Sequence, residues 1–238
     1  MTKLKHRGIF ITGTDTGVGK TMVAAALAAW HKRRNKPVGV YKPVESGVTF
    51  INGNPQPEDG LFLKKMSGCD APLDKIVPRC FPEPVAPMVA AESAGITLSL
   101  QQMAADYNEL ANTYDNMIVE GAGGLLVPLT PVATNRELIK ALELPVILVA
   151  ADRLGVMNHT LLTVEALQQA DIPIAGIVLN RMQTSDDISI NTNWKILTDL
   201  LPQMTITHTE PLALPPEQLT ADMLANWIDE AALLVIPR

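Results

Sequence analysis

The stretch Gly13-Thr14-Asp15-Thr16-Gly17-Val18-Gly19-Lys20-Thr21 constrains this chain more than any other feature. It follows a short apolar run, Gly8–Thr12, and opens a segment with helical apolar spacing, Lys20–Arg34. Strand, glycine-rich turn and helix start in that order form a phosphate cradle. The glycines let backbone N–H groups turn toward phosphate oxygens, and the helix N-terminus adds partial positive charge. In such a loop Lys20 places an ammonium at the β/γ-phosphates of a nucleotide, and the Thr21 hydroxyl is a magnesium ligand. Gly17, Val18, Gly19, Lys20, Thr21 and Met22 form the candidate nucleotide-binding stretch. Five residues, one more than usual, separate Gly13 from Gly19. The loop alone names no reaction, because motors, switches, kinases and ligases share it.

Further along, Pro37–Tyr41, Met117–Glu120, Pro145–Ala151 and Ile174–Leu179 read as strands. Helices are expected over Glu58–Met66 (closed by Gly68), from a Ser99 cap to about Thr113, and over Asn135–Leu142, Asn158–Ala170, Trp194–Leu201 and Leu219–Leu234. Residues 78–97, rich in proline and alanine without a clear period, read as an ordered surface excursion. Strands separated by helical segments predict an α/β fold: one domain over 1–238, a mostly parallel sheet flanked by helices on both faces. Aromatics are only 4% against 47% hydrophobic residues, so Val, Ile, Leu, Ala and Met must fill the core, which suits a helix-covered parallel sheet.

Parallel sheets bind ligands beyond the carboxyl ends of their strands, and the polar motifs fall there. Lys42, in Lys42-Pro43-Val44-Glu45-Ser46-Gly47, ends the second strand and can stabilise negative charge on a transferring phosphoryl group. Glu120 ends the third and can hold magnesium opposite Thr21; Gly121, Ala122 and Gly123 after it permit close approach of backbone to ligand. Asp59, at the start of a short helix, gains interest beside those two metal candidates. Asn180 follows the fifth strand with an amide suited to a base edge. His159 reads as structural or interfacial.

The net charge of −6 argues against a nucleic-acid partner. The basic run Lys32, Arg33, Arg34, Lys36 reads as a helix end, where cations suit the dipole. Cys69 and Cys80 lack zinc spacing and read as free thiols. The opening residues are too polar, and the apolar run after them too short, for a signal peptide or membrane span, so a cytoplasmic location is expected.

Taken together, these residues resemble the dethiobiotin synthetases. The likeness covers Gly13–Thr21, Lys42–Gly47, Asp59, Pro84–Ala91, Glu120–Leu129, Gly155–Leu162 and Asn180, and KPVESG and VEGAGGLLVPL are its most specific parts. The resemblance implies an ATP- and magnesium-dependent ligase that joins carbon dioxide to 7,8-diaminononanoate and closes a cyclic urea, dethiobiotin. It implies Lys20, Lys42 and Thr16 at the transferring phosphate, Thr21, Asp59 and Glu120 on magnesium, Ser46 on the diamine or its carbamate, and Asn180 on the base. It also implies a homodimer, in which the backbone of Gly155, Val156, Met157 and Asn158 helps bind the substrate carboxylate at the other subunit's site. Many relatives carry Glu where this chain has Gly17, and His where it has Met88. A partitioning-type ATPase switch is the main rival, but Asp15 stands where such proteins carry a cross-dimer lysine. A non-catalytic relative fits poorly with two retained lysines and three metal-ligand candidates.

Overall fold

The computed structural model describes residues 7–184 and 186–230. Its frame is a six-stranded sheet of β1 (Arg7–Gly13), β2 (Val38–Tyr41), β3 (Asn116–Gly124), β4 (Val146–Ala151), β5 (Ile174–Asn180) and β6 (Ile206–Thr209), in the spatial order β6-β5-β4-β1-β3-β2. Every pairing within it is parallel. The helices are α1 (Lys20–Arg33), α2 (Glu58–Ser67), α3 (Leu73–Ile76), α4 (Pro87–Ser93), α5 (Leu100–Ala111), α6 (Asn135–Leu142), α7 (Val156–Gln169), α8 (Ile190–Leu200) and α9 (Ala221–Glu230).

Both faces of the sheet are covered, and β4 shows how. All of its residues are buried, and side chains alternate between faces. Ile147, Val149 and Ala151 join the larger core with α1 and α9, whereas Leu148 and Ala150 pack with Val156 and Val164 of α7 and Leu197 of α8. An uninterrupted apolar run is therefore what a central parallel strand needs. α1 carries alanine at five buried positions, which lets it lie close to the sheet beneath the phosphate loop.

Several expectations need correction. Residues 78–97 are ordered and mostly exposed, but they hold structure that the missing period concealed: Cys80–Phe81 pairs with Glu45–Ser46, and α4 buries Pro87, Ala90 and Ala91. β3 does not stop at Glu120 but continues through the glycines to Gly124. α7 starts at Val156, two residues before the expected Asn158, and α8 at Ile190 rather than Trp194. β6 was not anticipated, because Ile-Thr-His-Thr has no apolar run. The last helix begins at Ala221, and residues 231–234 of its expected span lie outside the described residues. The basic run does end α1, where Arg33 and Arg34 pair with Asp229 of α9. Among the described residues no helix is long and apolar enough to cross a membrane.

On α1, His31 is buried with its Nδ1 unpartnered. Burial, helped by the positive charges of Lys36 and Arg34, pushes its imidazole down from 6.5 to about 4. Between those two values the unfolded chain binds the proton and the folded chain does not, so stability falls as pH drops through this window and this group has no effect above it. At about 1.4 kcal/mol per pH unit, lowering the pH from about 7 to about 4.5 should remove on the order of 2–3 kcal/mol through this group. Urea denaturation at the two pH values should show that loss in the parent and a correspondingly smaller one in His31→Leu.

Candidate active site

The phosphate loop hangs between three strands. Thr14 N donates to Val149 O of β4 (3.0 Å) and Leu125 N, just past β3, donates to Gly13 O (3.2 Å). Gly19 caps α1 at φ 90°, in the left-handed region, and no side chain caps the helix. The first-turn amides of α1 therefore remain available to an anion. A side chain at position 19 would overlap the Asn180 amide. That amide donates to Val18 O (2.9 Å) and is oriented by Thr209, whose hydroxyl donates to Asn180 Oδ1 (2.8 Å). Asn180 thus holds the loop, a contact that sequence reading missed. Lys20 folds back to donate to Asp15 O (3.0 Å).

Beside the loop lies an ionic centre. Lys42, 4% exposed at the end of β2, donates from Nζ to Glu120 Oε1 (2.8 Å) and pairs with Asp59 Oδ2 (2.6 Å). Thr21 Oγ1 donates to the same Glu120 oxygen (2.8 Å), so β2, β3 and α1 meet at one carboxylate, and α2 joins them through Asp59 on the Lys42 ammonium. Burial pulls the Lys42 ammonium down, but Glu120, Asp59 and Glu45 outweigh it and hold it above its ordinary value. Burial pushes Glu120 up despite Lys42. Burial works upward on Asp59 too, yet Lys42 keeps that carboxyl low. For Lys20 burial wins, and its ammonium is lowered. Glu45, which also lines the site, is pushed by burial up to about 7, with Lys42 and two backbone amides pulling the other way.

Thr16, Gly17, Gly19, Lys20, Thr21, Lys42, Ser46, Asp59, Glu120, Ala122 and Gly123 all line one cavity of about 300 Å³. The other candidates sit elsewhere. Val18 is buried under the loop, and Met22 is half-buried on α1. Gly121 faces away, since a Cβ there would meet Phe10 Cε1 at 2.8 Å. Gly155, Val156, Met157 and Asn158 form the start of α7 and do not line this cavity within the chain. Val44, Glu45 and Met182 line it without having been singled out; an acidic residue inside KPVESG was the available signal for Glu45.

The donor set fits magnesium. Thr21, Asp59 and Glu120 offer hard oxygen ligands, and Glu120 Oε2 is buried with no hydrogen-bond partner. No group of three His, Cys, Asp or Glu side chains suited to a metal occurs among the described residues. Two carboxylates plus a hydroxyl agree with a magnesium ion that completes its shell with phosphate and water.

A parallel sheet with a phosphate loop after its first strand, and a carboxylate–lysine centre beside it, defines a P-loop nucleotide-binding enzyme. A family model described as an AAA domain matches residues 7–213. ATP-dependent dethiobiotin synthetase from Anaeromyxobacter dehalogenans (strain 2CP-C) is 46% identical over 88% of this chain and 90% of that protein. The protein of the same name from Bacillus subtilis (strain 168) is 38% identical over 96% of this chain and 97% of its own length. In fold the chain is similar to chloroplast FtsY from Physcomitrella patens (TM-score 0.51, 16% identity, 95% of this chain and 66% of that one). It is equally similar to the MinC:MinD cell division protein complex of Aquifex aeolicus (TM-score 0.51, 14% identity, 97% and 92%). The chain belongs to the ATP-dependent dethiobiotin synthetase family. It is an ATP-dependent ligase.

The ionic centre makes a stability prediction. Removing Lys42 leaves Glu120 buried without its cation, at a cost of about 3–5 kcal/mol. Lys42→Met should lose stability of that order in urea denaturation, and adding Glu120→Gln should restore a large part of it. Strictly additive losses would show that the two side chains do not depend on each other.

Proposed function

We propose that this enzyme makes dethiobiotin from 7,8-diaminononanoate, carbon dioxide and ATP, with release of ADP and phosphate. One substrate amine adds to carbon dioxide and loses a proton, giving a carbamate. A carbamate oxygen takes the γ-phosphoryl group of ATP, and ADP leaves. The second amine then attacks the carbamoyl carbon; the C–O bond breaks, phosphate departs, a proton is lost and the cyclic urea closes. The substrate supplies both nucleophiles, so the protein has to orient reactants and offset anionic charge.

The juxtaposition of Lys20 and Lys42 across one cavity carries this reading. Lys20 and the first-turn amides of α1 receive the phosphate tail, with Thr16 facing it. Lys42, already desolvated, neutralises charge as the phosphoryl group transfers. Thr21, Asp59 and Glu120 would hold magnesium, which when bound offsets charge on the β- and γ-phosphates. Ser46, Val44 and Glu45 border the same cavity next to Lys42, where Ser46 contacts the diamine or its carbamate. Gly121, Ala122 and Gly123 run the β3 backbone past the nucleotide, and Asn180 contacts its base. In a homodimer, Gly155–Asn158 of one copy would supply helix N-terminal amides to the substrate carboxylate bound by the other.

Purified protein with ATP, magnesium and bicarbonate should release phosphate and form dethiobiotin only when the diamine is present. Phosphate release that ignores the diamine would favour a switch ATPase instead. Lys42→Ala should still bind ATP while turnover falls by about 10²–10³, as for loss of comparable electrostatic donors. Unchanged turnover would remove Lys42 from its assigned role.

A further inference from the structure

We propose that Glu45 is a positioning residue for the magnesium–nucleotide site: its carboxylate seats the first turn of α2 and so fixes Asp59 against Lys42. The inference rests on the assignment of Asp59 to that site.

Helix α2 begins without a side-chain cap of its own. Its N-cap is Pro57, and the first intrahelical bond is Leu61 N to Pro57 O (2.9 Å). Two amides of the first turn find their acceptor outside the helix. Asp59 N donates to Glu45 Oε1 and Gly60 N to Glu45 Oε2, each at 3.1 Å. A carboxylate in this position satisfies both orphan donors and meets the positive end of the helix dipole.

Glu45 is itself held. Its N–H donates to Arg79 O (2.9 Å), and the Glu45–Ser46 strand pairs with Cys80–Phe81. The helix start is also packed closely against Val77 at the end of α3, since a side chain at Gly60 would overlap Val77 Cγ2. Asp59, in contrast, is 41% exposed on its side chain, and its carboxylate is held by the ion pair with Lys42. That pair forms only where the backbone presents the carboxylate, and Glu45 fixes that backbone. Each Glu45 oxygen accepts an α2 amide, which assigns Glu45 to orienting Asp59.

Binding of a fluorescent ATP analogue, followed at equilibrium while magnesium is titrated, tests this without any turnover. In Glu45→Ala the magnesium concentration giving half of the effect should rise about 10- to 100-fold, the range for partners that orient metal ligands. Binding of the analogue without magnesium should stay close to the parent. In an Asp59→Ala background, adding Glu45→Ala should produce no further shift. A folded Glu45→Ala protein whose magnesium titration overlays the parent would overturn the proposal, as would a full extra shift in the Asp59→Ala background. If Glu45→Ala does not fold, Glu45→Gln, which keeps one acceptor, should show a smaller shift, and no shift would overturn the proposal. Asp59→Ala with a parental titration would instead remove Asp59 from the metal site, a failure of the underlying reading that the single variant identifies.

Discussion

A buried ammonium between two carboxylates organises this protein's functional end. Lys42 reaches both Glu120 (2.8 Å) and Asp59 (2.6 Å), and Thr21 reaches the same oxygen of Glu120. Each partner comes from a different element, so the centre forms only when β2, β3, α1 and α2 are all in place. Buried charges of this kind are costly unless fully paired. Here the pairing is incomplete by one atom, Glu120 Oε2. That atom makes the cluster a credible cation site as well as a structural knot.

The sheet explains why these groups meet. β1 lies beside β3, which in turn lies beside β2, so the turn after β1 emerges next to the polar residues at the ends of those two strands, Glu120 and Lys42. Asn180 and Thr209 brace that turn from the β5–β6 side, while Glu45 braces α2 from the other. The partners of the chemistry would be small molecules; the protein groups around them are fixed by second contacts such as those of Glu45 with α2 and of Asn180 with Val18.

Local pattern made part of this legible. The glycines, lysine and threonine of the loop lie within nine residues and need no tertiary information. Lys42 and Glu120 were readable because apolar strand runs point to their own carboxyl ends. Glu45 was not readable as a brace, because its acceptors serve amides of a helix that starts beyond an intervening hairpin, Thr49–Gln56. The hold of Asn180 on Val18 is likewise invisible without the fold. β6 escaped because the polar Thr207 and His208 stand between its buried ends, and α4 because tertiary neighbours, not periodicity, bury Ala90 and Ala91.

A crystal structure of the protein with magnesium, a non-hydrolysable ATP analogue and the diamine tests the central claim most directly. The account predicts metal density among Thr21, Asp59 and Glu120, with the Lys42 ammonium turned from the carboxylates to a γ-phosphate oxygen. A nucleotide bound in the loop with its metal elsewhere, and Lys42 still paired as before, would contradict it.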